Sequence, residues 1–446
     1  MKVDPCAVDI AVIGGGAAGL LAAIRAGELG ASVVVLEKNR RAGAKILISG
    51  GGRCNVTTTR EGAALLRSFR APQDEFLRFA FKALPPARVR TWFEERGVAL
   101  VEEPGEKVFP QAGRSSVVLD ALLRALQGAG ADLREQCGLQ ALELASVEET
   151  ARSGAGEQHR FVLQTACGVF RARRVILATG GRSWPRAGTT GDGYKVAANL
   201  GHSISAQFAA LAPLLVDDRD LRALSGLSVE DAAVSVQNAD GNWQRFVAPL
   251  LFTHEGLSGP GPMDVSGEIE AQLAAQGAAQ HGVTIEIDFV AAIPEATLDQ
   301  QLAAAARATD RSVEALLPAG LPQRLRAVLL ERSGLDPAMR SSTLRREQRA
   351  ALLRTLKHCA VVVRRSRGFD HAEVTRGGVA LAEIDPRSME SRLMPGLHLC
   401  GEVLDIDGPI GGFNFQAAFS TGWVAGESAA RGIMRSDRAA GDSGPS

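Results

Sequence analysis

Residues 9–37 read DIAVIGGGAAGLLAAIRAGELGASVVVLE. Asp9 to Ile13 predicts a short apolar strand, Ala17 to Leu29 a helix rich in Ala and Leu, and Ala31 to Leu36 a second buried strand. The three close a βαβ unit of about thirty residues. Between the first strand and the helix, Gly14-Gly15-Gly16-Ala17-Ala18-Gly19 satisfies G-x-G-x-x-G. Gly14 makes the tight turn, Gly16 lets backbone approach a pyrophosphate, and Gly19 permits close helix–strand packing. The helix N-terminus adds unpaired N–H groups and a positive dipole end. Glu37 follows 18 residues beyond Gly19, where a carboxylate accepts both ribose hydroxyls. Such an acid repels a ribose 2′-phosphate, so the nucleotide expected is FAD or NAD rather than NADP. Ala18 and Lys38, beside these residues, are counted with them as cofactor-binding positions.

A second glycine run, Ser49-Gly50-Gly51-Gly52-Arg53-Cys54-Asn55, lies just past that acid, preceded by Gly43-Ala44-Lys45. Ordering three consecutive glycines costs much backbone entropy, which contacts to a bound cofactor would return. Lys45, Ser49, Gly51, Gly52, Arg53 and Asn55 are therefore expected along the cofactor and its phosphates. Cys54 reads either as a reactive thiol near the redox ring or as a small packing residue.

Later in the chain, Val175 to Ala178 predicts a buried strand ending at Thr179-Gly180-Gly181, which lets the chain pass close to the ligand. Leu139, in the strand-like stretch Ala131 to Ala145, is assigned to the same ligand. Leu397 to Cys400 is another short strand with Glu402 at its end, and Gly411-Gly412 opens a small-residue helix. Gly412, Phe413 and Asn414 are candidates for backbone contacts there. Asp405 and Asp407 read as functional carboxylates or as acids capping turns.

The rest of the chain sets bounds. Its 446 residues suggest two or three domains, and 46% hydrophobic with 22% charged residues is globular. Lys+Arg and Asp+Glu are both 50, so no global positive field draws in nucleic acid or an anionic membrane. Arg340, Arg345, Arg346, Arg349 and Arg354 fall in one helical region and read as a solvated face. The six cysteines have no CxxC pair and suggest free thiols in a reducing compartment. The glycine-broken amino-terminal run is neither a signal peptide nor a spanning helix, which points to a cytoplasmic protein. From about Gly201 to about Thr355 the texture changes to strands at Ala233–Gln237, Arg245–Leu251 and Val283–Val290, then a helical region from Leu298 to Leu356. The expected fold is α/β: a discontinuous Rossmann-like FAD-binding domain, residues 1–200 and 356–446, with an inserted β-rich plus helical domain at 201–355. The tail from Arg435 is expected to fray.

The two glycine blocks resemble those of the bacterial BaiN/YhiN-type flavoprotein family, whose hallmark is GGGxAG followed by K-x-x-x-SGGGRCN. Further blocks match in order: Ala178-Thr179-Gly180-Gly181 into Ser183-Trp184-Pro185, Gly188 to Tyr194, Phe252-Thr253-His254-Glu255-Gly256-Leu257-Ser258-Gly259-Pro260, and Gly377-Gly378-Val379. The family's frequent GGYN stands here as Gly411-Gly412-Phe413-Asn414. The resemblance implies that the cofactor is FAD, that the Glu402 step holds the ribityl hydroxyls, and that the following helix points its amides at the flavin's pyrimidine edge. It implies, for some members, reduction of conjugated C=C bonds in 3-oxo bile acids and, for others, oxidation of aminoacetone by oxygen.

These readings converge on an FAD-dependent oxidoreductase acting on a small organic molecule by hydride transfer through N5, its ring facing a cleft beneath the insertion. An amine oxidase and a non-catalytic flavin-binding regulator are the alternatives. His254 and Cys54 are the candidate catalytic residues, although His254 also reads as a backbone-bonding loop residue. No metal-ligand spacing appears. No second G-x-G-x-x-G marks a nicotinamide domain, so NADH or NADPH, as reductant, is expected to bind transiently over the flavin. No nucleic-acid, membrane or obligate protein partner is expected.

Overall fold

The computed structural model describes residues 6–145, 160–238, 240–277, 281–308 and 310–442. The chain forms two compact units, Met1–Gln207 with Val374–Ser446, and Phe208–Glu373.

In the first unit, β1 (Cys6–Ile13), α1 (Ala17–Glu28) and β2 (Val33–Leu36) form the expected βαβ unit. β1 and β2 run parallel, with Ile13 opposite Leu36. α2 (Ala44–Gly52), α3 (Ser116–Gly128) and β3 (Asp132–Arg134) follow, and β3 extends the sheet beside β2. β4 (Leu139–Leu144), β5 (Phe161–Thr165) and β6 (Gly168–Leu177) form an antiparallel meander. β6 returns parallel to β1, with Leu177 opposite Ile13. The carboxy-terminal segment adds β7 (Leu397–Leu399), parallel to β6 with Leu399 opposite Leu177. Among the described residues this makes a seven-stranded sheet in which β3, β2, β1, β6 and β7 are parallel. Gly14, Glu37, Thr179 and Glu402 therefore gather at the carboxyl ends of parallel strands, where open α/β sheets bind ligands.

The last helix, α4 (Phe413–Asp442), packs on α1. A Cβ on Gly422 would lie 2.3 Å from the Ala18 carbonyl oxygen, and one on Gly426 2.1 Å from that of Ala22. These glycines let the two backbones touch, coupling the carboxy-terminal segment to the amino-terminal turn. Ile10, Val12, Leu20, Ile24, Val34, Leu177, Leu399 and Phe419 are buried in the surrounding core.

The second unit is built on an antiparallel sheet, eight-stranded among the described residues, with its own apolar core. The helical stretch expected from Leu298 to Leu356 resolves into Glu295–Ala308, Gln323–Arg332 and Arg346–Lys357.

Four expectations are corrected. The strand Cys359–Ser366, expected in the nucleotide-binding part, pairs with Val283–Asp288 and Leu214–Val216, so the second unit reaches Glu373. Likewise, Gly201 to Gln207 stays with the first unit. The tail expected to fray continues α4 to Asp442, while residues 443–446 lie outside the described residues. Finally, Cys137 and Cys167 are joined in a disulfide, with Cα atoms 5.1 Å apart. The β4–β5 meander brings together residues 30 apart, which their spacing did not signal. No helix among the described residues is long and apolar enough to cross a membrane.

Candidate functional site

The amino-terminal turn separates glycines that serve packing from one that serves a ligand. A Cβ on Gly14, at φ 104°, would sit 2.5 Å from the Ala178 carbonyl oxygen, and one on Gly19 2.0 Å from that of Gly14. A Cβ on Gly16 would meet nothing within 4 Å. Gly16 is the N-cap of α1, which has no side-chain cap and no acid in its first turn. The start of α1 is thus open at Gly16 and carries no side chain to offset the dipole, the setting for a diphosphate. Glu37, 7% exposed, accepts from the Gly15 N–H and the Asn39 N–H, both at 2.8 Å. Each carboxylate oxygen keeps a lone pair for a ribose hydroxyl. Lys38 is tied to Asp192 at 2.5 Å and Thr190 at 2.6 Å. Ala18 is buried and packs toward Gly401, while Leu139 opens β4 directly after the segment that bonds Glu37.

At the other end, residues from four distant segments meet. Lys45 Nζ lies 2.6 Å from both Glu402 Oε2 and Ser183 Oγ. Glu402 Oε1 accepts from Ser183 Oγ at 3.0 Å and from the Thr375 N–H at 2.8 Å. Thr375 Oγ1, fully buried, accepts the N–H groups of Arg182 at 2.7 Å and Ser183 at 3.1 Å. A Cβ on Gly181 would collide with this knot, 2.4 Å from Thr375 Oγ1. Glu402 is therefore fixed by cation, hydroxyl and amide together. Sequence reasoning missed Thr375; its place two residues before the quoted Gly377-Gly378 pair was the available signal.

The second glycine run forms a sharp turn within α2. Ser49 leaves helical geometry at ψ 149°, and Gly50, Gly51 and Gly52 take φ of 54°, 66° and 83°. A Cβ on Gly51 would meet nothing within 4 Å, and Ile48 is 40% exposed beside it. The three residues after the turn have partners within the protein. Arg53 pairs with Glu103 and lies 4.2 Å over the Phe109 ring. Asn55 accepts the Val108 N–H at 3.1 Å. Cys54 is fully buried, and burial pushes its thiol up to about 12, opposite to what a nucleophilic thiolate needs. Arg53 and Asn55 thus brace the turn through their protein partners, and Cys54 is packed beneath it.

The start of α4 is likewise braced. Gly412, at φ 89°, leaves only 2.2 Å between an added Cβ and the Thr57 carbonyl oxygen. Asn414 accepts the Gly408 N–H at 2.9 Å and donates to the Gly408 carbonyl at 2.8 Å. Phe413 is buried with its ring edge-on to Phe69. Arg70 bonds Asp405 at 2.5 Å and Asp407 at 3.1 Å, so these acids hold the loop, and burial pushes the Asp407 carboxyl up despite the adjoining guanidinium. What remains for a ligand is the amide end of α4. Thr179 Oγ1, at the end of β6, is buried with no hydrogen-bond partner. This orphan hydroxyl and the open faces of Gly16 and Gly51 fit an extended dinucleotide lying across the strand ends.

His254 stands exposed in the turn between strands Leu250–Phe252 and Gly256–Ser258 of the second unit, its carbonyl accepting Arg222 Nε at 2.8 Å. His202 is buried between Glu383 and Ser391, each at 2.9 Å, a structural link. Among the described residues no group of three metal-ligating side chains occurs.

The chain matches the HI0933-like protein Rossmann domain over residues 8–428. It is 30% identical over 427 residues to a Clostridium scindens protein named 3-dehydro-bile acid delta(4,6)-reductase, covering 94% of this chain and 98% of that one. It is 31% identical over 430 residues to an Escherichia coli protein named ribosomal RNA dihydrouridine synthase, covering 94% and 97%. Among solved structures, the 3-ketosteroid delta1-dehydrogenase of Sterolibacterium denitrificans has a TM-score of 0.52 at 14% identity, covering 96% of this chain and 100% of that one, a likeness of fold. The chain therefore belongs to the HI0933-like Rossmann family.

Proposed function

We propose that this chain is an FAD-dependent reductase that saturates a C=C bond conjugated to a carbonyl in a small organic molecule, drawing electrons from NADH or NADPH. The observation that carries the reading is the pairing of an open diphosphate turn at Gly16 with a rigidly held Glu402 at the opposite end of the same strand-end row. FAD, when bound, supplies hydride transfer through N5. The α1 amides hold the diphosphate, Glu37 the ribose hydroxyls, and Glu402 the ribityl hydroxyls. The positive end of α4 favours negative charge at the pyrimidine edge.

The relatives' names support the bond type. A delta(4,6)-reductase of a 3-dehydro bile acid and a dihydrouridine synthase both name saturation of a ring C=C bond, which in uracil is conjugated with a carbonyl. Charge supports a small substrate: the formal net charge is +0, Arg340 pairs with Asp310 at 2.7 Å and Arg349 with Asp299 at 2.7 Å. The test is anaerobic. NADH or NADPH is expected to bleach the flavin, and a cyclic enone to reoxidise it quickly. Flavin reduction by aminoacetone instead would select an amine oxidase, faster reoxidation by uridine-containing ribosomal RNA would move the substrate to RNA, and inertness to all would leave a binding protein.

A further inference from the structure

The Cys137–Cys167 disulfide lies against the peptide that carries the ribose-binding acid. The Cys137 N–H donates to the Glu37 carbonyl and the Gln136 N–H to the Asn39 carbonyl, both at 2.8 Å. Gly138 leaves 3.0 Å between an added Cβ and the Lys38 Cβ. The 136–138 segment thus holds residues 37–39 through two backbone hydrogen bonds, while the Glu37 carboxylate is oriented within that stretch by the Asn39 N–H. The disulfide ties that segment to the β5–β6 turn. Its two residues differ: Cys137 is fully buried, whereas Cys167 is exposed. Cys54, Cys359 and Cys400 are free but buried, so Cys167 is the exposed cysteine among these five.

We propose that Cys137–Cys167 is a reversible thiol–disulfide modification site, serviced by a dithiol reductant at Cys167, whose bonded state tightens FAD binding by fixing residues 37–39. In the reductive direction a thiolate of the dithiol attacks Cys167 Sγ, the S–S bond breaks, and Cys137 leaves as a thiolate that takes a proton. The second thiol then displaces Cys167, so two electrons and two protons pass to the protein and the reductant becomes a disulfide. Once released, the 136–138 segment gains freedom that FAD must remove on binding, which weakens affinity. Linkage makes the effect reciprocal: FAD must resist reduction of the disulfide by the factor that the disulfide tightens FAD.

This inference rests on the FAD reading above, and its test separates the two. Non-reducing peptide mapping of thiol-blocked protein should recover the 137–167 cross-link. FAD titration before and after dithiothreitol should show a dissociation constant raised by about fivefold or more, the lower range of such couplings. Cys167→Ser should sit at the reduced value and ignore dithiothreitol. In the wild-type protein, saturating FAD should shift the dithiothreitol midpoint by the matching factor, a readout that needs no variant. No FAD uptake in either state would sink the FAD reading; uptake with equal affinity in both states, or no cross-linked peptide, would overturn the redox site alone.

Discussion

The two ends of the proposed FAD cradle are built by opposite strategies. The diphosphate end is local: Gly14, Gly16, Gly19 and Glu37 lie within one βαβ unit, and each serves through backbone geometry or a single carboxylate. The ribityl end is assembled from residues 45, 183, 375 and 402, joined by a dense side-chain network. A local site can fail at one glycine. A network fails when one buried member leaves its partners unsatisfied.

The sharpest way to break the local end is Gly19→Ala. Its Cβ would lie 2.0 Å from backbone, so a loss of about 4 kcal/mol or failure to fold is expected, read by denaturant unfolding. Next in size is a pH effect near the ribityl end. His398 of β7 is fully buried with neither ring nitrogen partnered, and burial lowers its pKa to about 4. The unfolded chain takes a proton near the ordinary value of about 6.5 while the folded one does not, so stability falls as pH drops from about 6.5 to about 4, by about 3 kcal/mol. Unfolding at several pH values should show this slope reduced in His398→Leu.

Thr375→Val probes the network itself. It removes the acceptor of the part-buried Arg182 N–H and the buried Ser183 N–H and should cost about 2 kcal/mol in stability, with weaker FAD retention. Thr375→Ser should restore both, since it keeps the hydroxyl. The smallest effect sharpens the contrast within the first turn. Gly16→Ala meets nothing in the protein, so unfolding should change by less than about 1 kcal/mol, while FAD affinity falls about tenfold, near 1.4 kcal/mol. Equal damage from Gly16→Ala and Gly19→Ala in unfolding would erase the distinction between ligand-facing and packing glycines.

What was legible in the sequence follows the same division. The βαβ unit was readable because its period, glycine spacing and acid lie within thirty residues, and so was the turn at Gly50–Gly52. The protein partners of Arg53 and Asn55 were not legible, because Glu103, Phe109 and Val108 lie on strands some fifty residues away. The Cys137–Cys167 pairing was invisible for the same reason, since the register of the β4–β5 pair brings those residues together, and Thr375 was overlooked because its partners Ser183 and Glu402 lie far away in sequence. Strand Cys359–Ser366 was misplaced because its alternation shows that one face is buried but not which sheet it joins.

The central claim is that this chain binds FAD at a single site closed by both ends of the strand row. The direct measurement is to saturate the purified protein with FAD, remove the excess, denature it and identify the released flavin by chromatography. One FAD per chain, with less retained by Gly16→Ala and by Thr375→Val under conditions where both variants remain folded, is the predicted result. A colourless protein after reconstitution, or full FAD retention by both folded variants, would contradict the account.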